Sequence, residues 1–66
     1  MSVVKIIEVI ASSNKSFDDA VNNAVSEAAK SVKNIKSVYV KEMKAQVEDN
    51  KIKSYRVTAK ISFIKE

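Results

Sequence analysis

Residues 35–65 read IKSVYVKEMKAQVE, then DN, then KIKSYRVTAKISFIK, and this stretch decides the fold. On both sides of Asp49-Asn50 the side chains alternate with a period near two, which marks two long strands, Ile35–Glu48 and Lys51–Lys65. Asp and Asn tolerate positive φ, so Asp49-Asn50 is predicted to close a hairpin as a two-residue turn. Straight pairing from that turn sets Val38 opposite Ile61, Val40 opposite Ala59, Glu42 opposite Val57 and Lys44 opposite Tyr55. That face, with Phe63, is expected to pack on a helix. The other face pairs Ser37 with Ser62, Tyr39 with Lys60, Met43 with Arg56 and Val47 with Ile52. It is semi-polar, as a surface between subunits or against a ligand would be. A β-bulge along the pair would shift this register.

Upstream of the hairpin, Ser16 opens a helix. Ser16 with Asp19 resembles a capping box, and Asp18 and Asp19 suit the positive helix end. Phe17, Ala20, Val21, Ala24, Val25, Ala28, Ala29 and Val32 recur at the spacing of an amphipathic helix. The stripe is made mostly of Ala and Val, small enough to let the helix lie close to a sheet. Lys30 and Lys33 are expected in its last turn, where cations favour the helix dipole. Ser12-Ser13-Asn14-Lys15 reads as a loop, and Val3–Ile10 (VVKIIEVI) as a first strand rich in β-branched residues. Both faces of that strand are apolar: Val4, Ile6 and Ile10 on one, Val3, Ile7 and Val9 on the other. One helix covers one face, so the other is expected to meet a second subunit. The order is thus β-α-β-β, of class α+β. A right-handed crossover leaves a gap between the first two strands for the third to fill, antiparallel to both.

A chain of 66 residues is a single domain, and one this small is marginal without help. The usual aids are disulfides, structural metals and oligomerisation. There is no Cys and no His, so disulfides, thiolate and imidazole metal sites, and Ser-His or Cys-His nucleophile pairs are all excluded. Self-association remains, or an ion held by oxygen ligands such as calcium. An enzyme is not the expected reading. No membrane span and no signal peptide is read in the sequence, which gives a cytoplasmic expectation. Twelve Lys and Arg against eight Asp and Glu leave a net charge of +4, spread along the chain with acids among the bases. That is the pattern of a solvated surface.

The segments ASSNKSFDDAVNNAV and NIKSVYVKEMKAQVEDNKIKSYRVTAKISF, taken with the first strand, resemble the dodecin family over essentially residues 1–66. The resemblance implies a small flavin-storage protein whose three-stranded sheet wraps one helix, twelve copies closing into a hollow shell. In flavin-binding dodecins two flavins stack between tryptophans of two-fold-related subunits while a glutamine touches the ring edge. By the resemblance the tryptophan position falls on Ser37, the glutamine on Arg56, and a basic position that faces the ligand phosphate on Lys44. This chain has no tryptophan. Its Tyr-Arg pattern at Tyr55-Arg56 is closer to dodecin-like proteins associated with calcium.

Tyr39 lies two residues past Ser37 on the same strand face and is the nearest substitute stacking ring. The cofactor-binding candidates are therefore Ser37, Tyr39, Lys44 and Arg56. Metal candidates are Glu48 and Asp49 at the hairpin turn, with Asn50 beside them, and Asp18 with Asp19 at the helix start. Turn chemistry is the favoured reading of the first group, and capping with dipole complementarity that of the second. Three functions from different classes follow. The first is a shell binding or storing a flavin of FMN or riboflavin type. The second is a shell binding calcium or no cofactor. The third, a small basic nucleic-acid binder, lacks the aromatic platforms that hold single strands.

Overall fold

The computed structural model describes residues 3–65, so Met1 and Ser2, which entered the reading of the N-terminus, lie outside the described residues. Strand β1 (Val3–Ser13), helix α1 (Phe17–Ala29), strand β2 (Ile35–Glu48) and strand β3 (Lys51–Lys65) follow in the expected order. They form one antiparallel sheet with order β1-β3-β2, the third strand filling the gap between the first two. The first strand runs past Ile10 to Ser13, because Ala11, Ser12 and Ser13 continue to pair with Val57, Arg56 and Tyr55.

The helix begins as its sequence dictates. Ser16 is the N-cap, with extended backbone and a side chain accepting from the Asp19 amide at 3.0 Å. The reciprocal half of the capping box is absent. The Asp19 carboxylate instead accepts from the Ser13 hydroxyl at 2.6 Å and ties the helix start to β1. The helix also ends earlier than its apolar stripe suggests. Lys30 is its C-cap and Lys33 lies beyond it, leaving no basic residue in the last turn. The Ser31 and Val32 amides both turn back to the Ala28 carbonyl at 2.9 Å, and Asn34, at φ 61°, starts the path into β2.

Ala20, Ala24 and Ala28 are buried along the helix, Ala24 and Ala28 packing with Ala59 and Ile61 of the central strand, where Val57 is buried too. Ala29, one step off that line, is exposed. Methyl groups at the contact let α1 sit close over β1 and β3, with Ile7, Val9 and Ala11 packed against the same core. The helix has 13 residues and so spans about 20 Å. Strands of 14 and 15 residues span about 45–50 Å and run well past it, giving a molecule 52 × 19 × 13 Å. Among the described residues, no helix is long and apolar enough to cross a membrane.

Asp49 and Asn50 close the hairpin with φ of 54° and 61°, the left-handed pair that a two-residue turn of the favoured twist requires. Near the turn and again from Ser37 to Val40 the pairing is as expected: Val47 opposite Ile52, Ser37 opposite Ser62, Val38 opposite Ile61, Tyr39 opposite Lys60, Val40 opposite Ala59; before Ser37 a shift sets Ile35 opposite Phe63. Between these ends it is not. Register shifts between Val40 and Glu42 and between Gln46 and Val47 set Glu42 opposite Thr58, Met43 opposite Val57 and Lys44 opposite Arg56. The pairings Glu42–Val57, Lys44–Tyr55 and Met43–Arg56 are therefore corrected. Lys41 is the extra residue of a bulge that turns each following side chain of β2 to the other face.

Candidate outer-face ligand site

The face of the sheet away from α1 is built in rows across β1, β3 and β2. Ile6, Ser62 and Ser37 form one row, and Glu8, Lys60 and Tyr39 the next. Ile10, Thr58 and Glu42 follow, then Ser12, Arg56 and Lys44. Its apolar members are left open to solvent: Val4 is 64% exposed, Ile6 63%, Ile10 67% and Tyr39 64%. Single exposed apolar residues are ordinary; several on one sheet face mark an interaction surface.

All four residues expected to bind a cofactor lie on this face, but at two ends of it. Ser37 and Tyr39 sit at one end, where the Ser37 and Ser62 hydroxyls hydrogen-bond to each other. Lys44 and Arg56 sit directly opposite each other at the other end. Six residues of β3 separate Ser62 from Arg56, about 20 Å. One chain thus does not bring Ser37 and Arg56 together. It does join Lys44 to Arg56, which straight pairing had kept apart. Neither forms an ion pair with another described residue. Like charges opposed across strands are destabilising, and here they line a cavity of about 340 Å³ with Ile10, Glu42, Met43 and Thr58. An anionic group placed there would relieve that repulsion, and Arg56 offers it a two-pronged donor.

Ile10, Thr58 and Glu42 were not singled out from sequence. The signal was present in β2, where apolar residues fall on Val38 and Val40 and then on Met43, Ala45 and Val47. That change of phase across Lys41-Glu42 is the bulge. Lys41 itself reaches over the central strand to Glu8 at 3.5 Å, both side chains half exposed, a pair worth at most about 1 kcal/mol.

The metal candidates are dispersed. Glu48 is paired with Lys53 at 3.0 Å, and Asp49 occupies the left-handed turn. Asp19 is engaged by Ser13, and Asp18 is exposed in the first helical turn. Among the described residues no group of three or more carboxylates comes together.

Fold and face together define a small sheet-and-helix subunit with an open apolar and cationic surface. The sequence pattern of the dodecin family matches residues 3–66, and the chain belongs to that family. Dodecins are small shell-forming proteins that bind flavin or calcium. A dodecin variant from Thermus thermophilus superposes with a TM-score of 0.93 at 24% identity, covering 100% of this chain and 98% of that one. The dodecin of Streptomyces coelicolor matches at 0.91 and 28% identity, covering 98% and 93%. A calcium dodecin from Mycobacterium tuberculosis, described as having a novel calcium-binding site, matches at 0.79 and 35% identity, covering 92% and 87%. Proteins of curated function give no match.

Proposed function

We propose that this dodecin is a non-enzymatic storage protein of the cytoplasm. Twelve copies close into a shell, and its outer sheet faces meet across two-fold axes around a small phosphate-bearing ligand of flavin type. The carrying observation is the outer face itself, with Val4, Ile6, Ile10 and Tyr39 at 63–67% exposure beside the opposed Lys44 and Arg56. A second copy covers the apolar rows, and two-fold symmetry brings the Ser37–Tyr39 end of each chain within reach of its neighbour. With Ser37 in place of a stacking indole, each lost aromatic contact costs about 0.5–1.5 kcal/mol, so a flavin is held weakly and mainly through its phosphate.

Native mass spectrometry with and without flavin mononucleotide tests this reading. Twelve chains of 7.3 kDa give a particle of about 88 kDa, with flavin mass added in multiples of the two-fold sites. A monomer or dimer refutes the shell.

A calcium-binding shell is the second reading, favoured by the 35% identity to the calcium dodecin. Its ligands would be carboxylates such as Glu48 and Asp49 gathered from several subunits, since one chain does not cluster them. Calcium that raises the dissociation midpoint of the particle while flavin leaves it unchanged selects this reading.

A further inference from the structure

Two departures from straight pairing in the β2–β3 hairpin cancel each other. Lys41 is an extra residue on β2, between Val40, opposite Ala59, and Glu42, opposite Thr58. Lys53 is an extra residue on β3, between Ile52, opposite Val47, and Ser54, opposite Gln46. Residues 42–46 therefore pair with residues 54–58 one step out of the register kept on both sides of them. A slip of this segment alone would seat Lys41 opposite Thr58 and Lys53 opposite Gln46. The Asp49-Asn50 turn and the Val38–Ile61 row would not move.

The two registers present different chemistry. In the observed one, Lys44 stands opposite Arg56 on the outer face. In the slipped one, Lys44 would join the Tyr55 row and Arg56 would face Met43. Two terms oppose the observed register: the like charges at Lys44 and Arg56, and the ladder pair that the two extra residues forgo. Apolar burial holds it only in part, since Met43 is 57% exposed and Ala45 half-buried.

Both extra residues are tied down. The Lys41 ammonium meets the Glu8 carboxylate of β1 at 3.5 Å, and the Lys53 ammonium meets that of Glu48 at 3.0 Å. These are two of the three ion pairs among the described residues, and the third lies at the end of α1. The Ser54 hydroxyl also donates to the Gln46 side chain at 3.3 Å, across a pair that only this register makes.

We infer that Lys41 and Lys53 are positioning residues for the outer-face site: through Glu8 and Glu48 they hold residues 42–46 in the register that sets Lys44 beside Arg56. The inference rests on the outer-face reading for its ligand. An anion at Lys44 and Arg56 favours the same register, because it relieves a repulsion that only this register creates. Ligand and ion pairs thus act on one local equilibrium. Each half-exposed pair biases it about two- to fivefold.

The chain has two methionines, Met1 and Met43, so a carbon-13 methyl spectrum of the intact methionine-labelled particle carries one signal from the hairpin. Glu8→Gln/Glu48→Gln removes both ion pairs and leaves every lysine in place. A second Met43 signal is expected, without the contact to the Val57 methyls that marks the observed register. Affinity for flavin mononucleotide, read by fluorescence quenching, should fall roughly two- to tenfold. Charge alone predicts the opposite sign, because a chain that has lost two carboxylates attracts an anion more strongly. Lys41→Arg/Lys53→Arg retains the ion pairs and should keep the parent's single signal and affinity. In a chain lacking both Lys41 and Lys53, the strands align with Lys44 opposite Arg56 and no bulge, and Glu8→Gln/Glu48→Gln should then produce no second signal. A single parental Met43 signal in Glu8→Gln/Glu48→Gln, or an affinity that rises, overturns the assignment. Should the parent bind no flavin mononucleotide, the outer-face reading fails, while the Met43 signals still decide the register.

Discussion

Replacing Ile6 with lysine separates assembly from folding. Ile6 is 63% exposed, opposite Ser62 on the outer face and outside the cavity beside Lys44. Its substitution therefore disturbs little within one chain. Fully burying an isoleucine contributes about 1.5–3 kcal/mol, so the part still exposed leaves about 1–2 kcal/mol for a partner to recover. A two-fold contact counts the residue twice, which gives roughly 2–4 kcal/mol per contact. Losing that alone lowers the association constant about 30- to 1,000-fold, before the added cost of desolvating two ammonium groups. The assay is native mass spectrometry over a dilution series, with amide hydrogen exchange to show that the sheet persists. Ile6→Lys should give subunits or small fragments of the shell at concentrations where the parent is intact. Ser26→Lys, on the exposed side of α1, should leave assembly unchanged. A dodecamer that persists in Ile6→Lys with the parent's dilution midpoint would refute burial of this face between copies.

Three further outcomes are expected. Ser37→Trp restores a stacking surface and should tighten flavin binding roughly two- to tenfold per aromatic contact, read by quenching of flavin fluorescence; no tightening removes the flavin from this face. Ala24→Leu forces new methylene groups against Ala59 and Ile61 and should cost about 1–3 kcal/mol, lowering the melting temperature by roughly 4–8 °C per kcal/mol at fixed protein concentration. Asn50→Val places a β-branched residue at φ 61° in the hairpin turn and should cost about 1–2 kcal/mol in denaturant unfolding, whereas unchanged stability would mean the turn has relaxed to another type.

The helix was legible because its signals are local. Ser16 caps it, small apolar residues recur on one face, and Ala20, Ala24 and Ala28 are buried as the period selects, Ala29 alone of its alanines being exposed. Its end was less so, since Val32 continues the stripe while the chain has already turned back at Ser31. Strand order followed from the handedness of the crossover, and of the two apolar faces of β1 the helix covers only the Ile7–Val9 side. A site completed across a symmetry axis is different in kind. Ser37 and Arg56 stand about 20 Å apart in one chain, and no local pattern reports which copy supplies the other half.

The bulge at Lys41 carries the connection between register and chemistry. Had the hairpin paired straight, Met43 would have faced outward beside Arg56 and Lys44 inward beside Tyr55. The outer face would then have presented one cation next to a thioether. The extra residue reverses the rows, setting Glu42 with Thr58 and Lys44 with Arg56 on the outer face and Met43 and Ala45 in the Val57 and Tyr55 rows, with Met43 still 57% exposed at the rim of the cavity. The sheet then carries an opposed Lys44–Arg56 pair that its own strands gain nothing from, since like charges in register oppose pairing. Val38 still packs on the core, and the rows just past the bulge stay under the helix start, where Val57 is buried opposite Met43 and Phe17 meets Tyr55 edge-on at 4.9 Å opposite Ala45. One inserted residue thus separates the two tasks of β2. Its first half packs on the core, and its second half sets Lys44 beside Arg56 on the outer face.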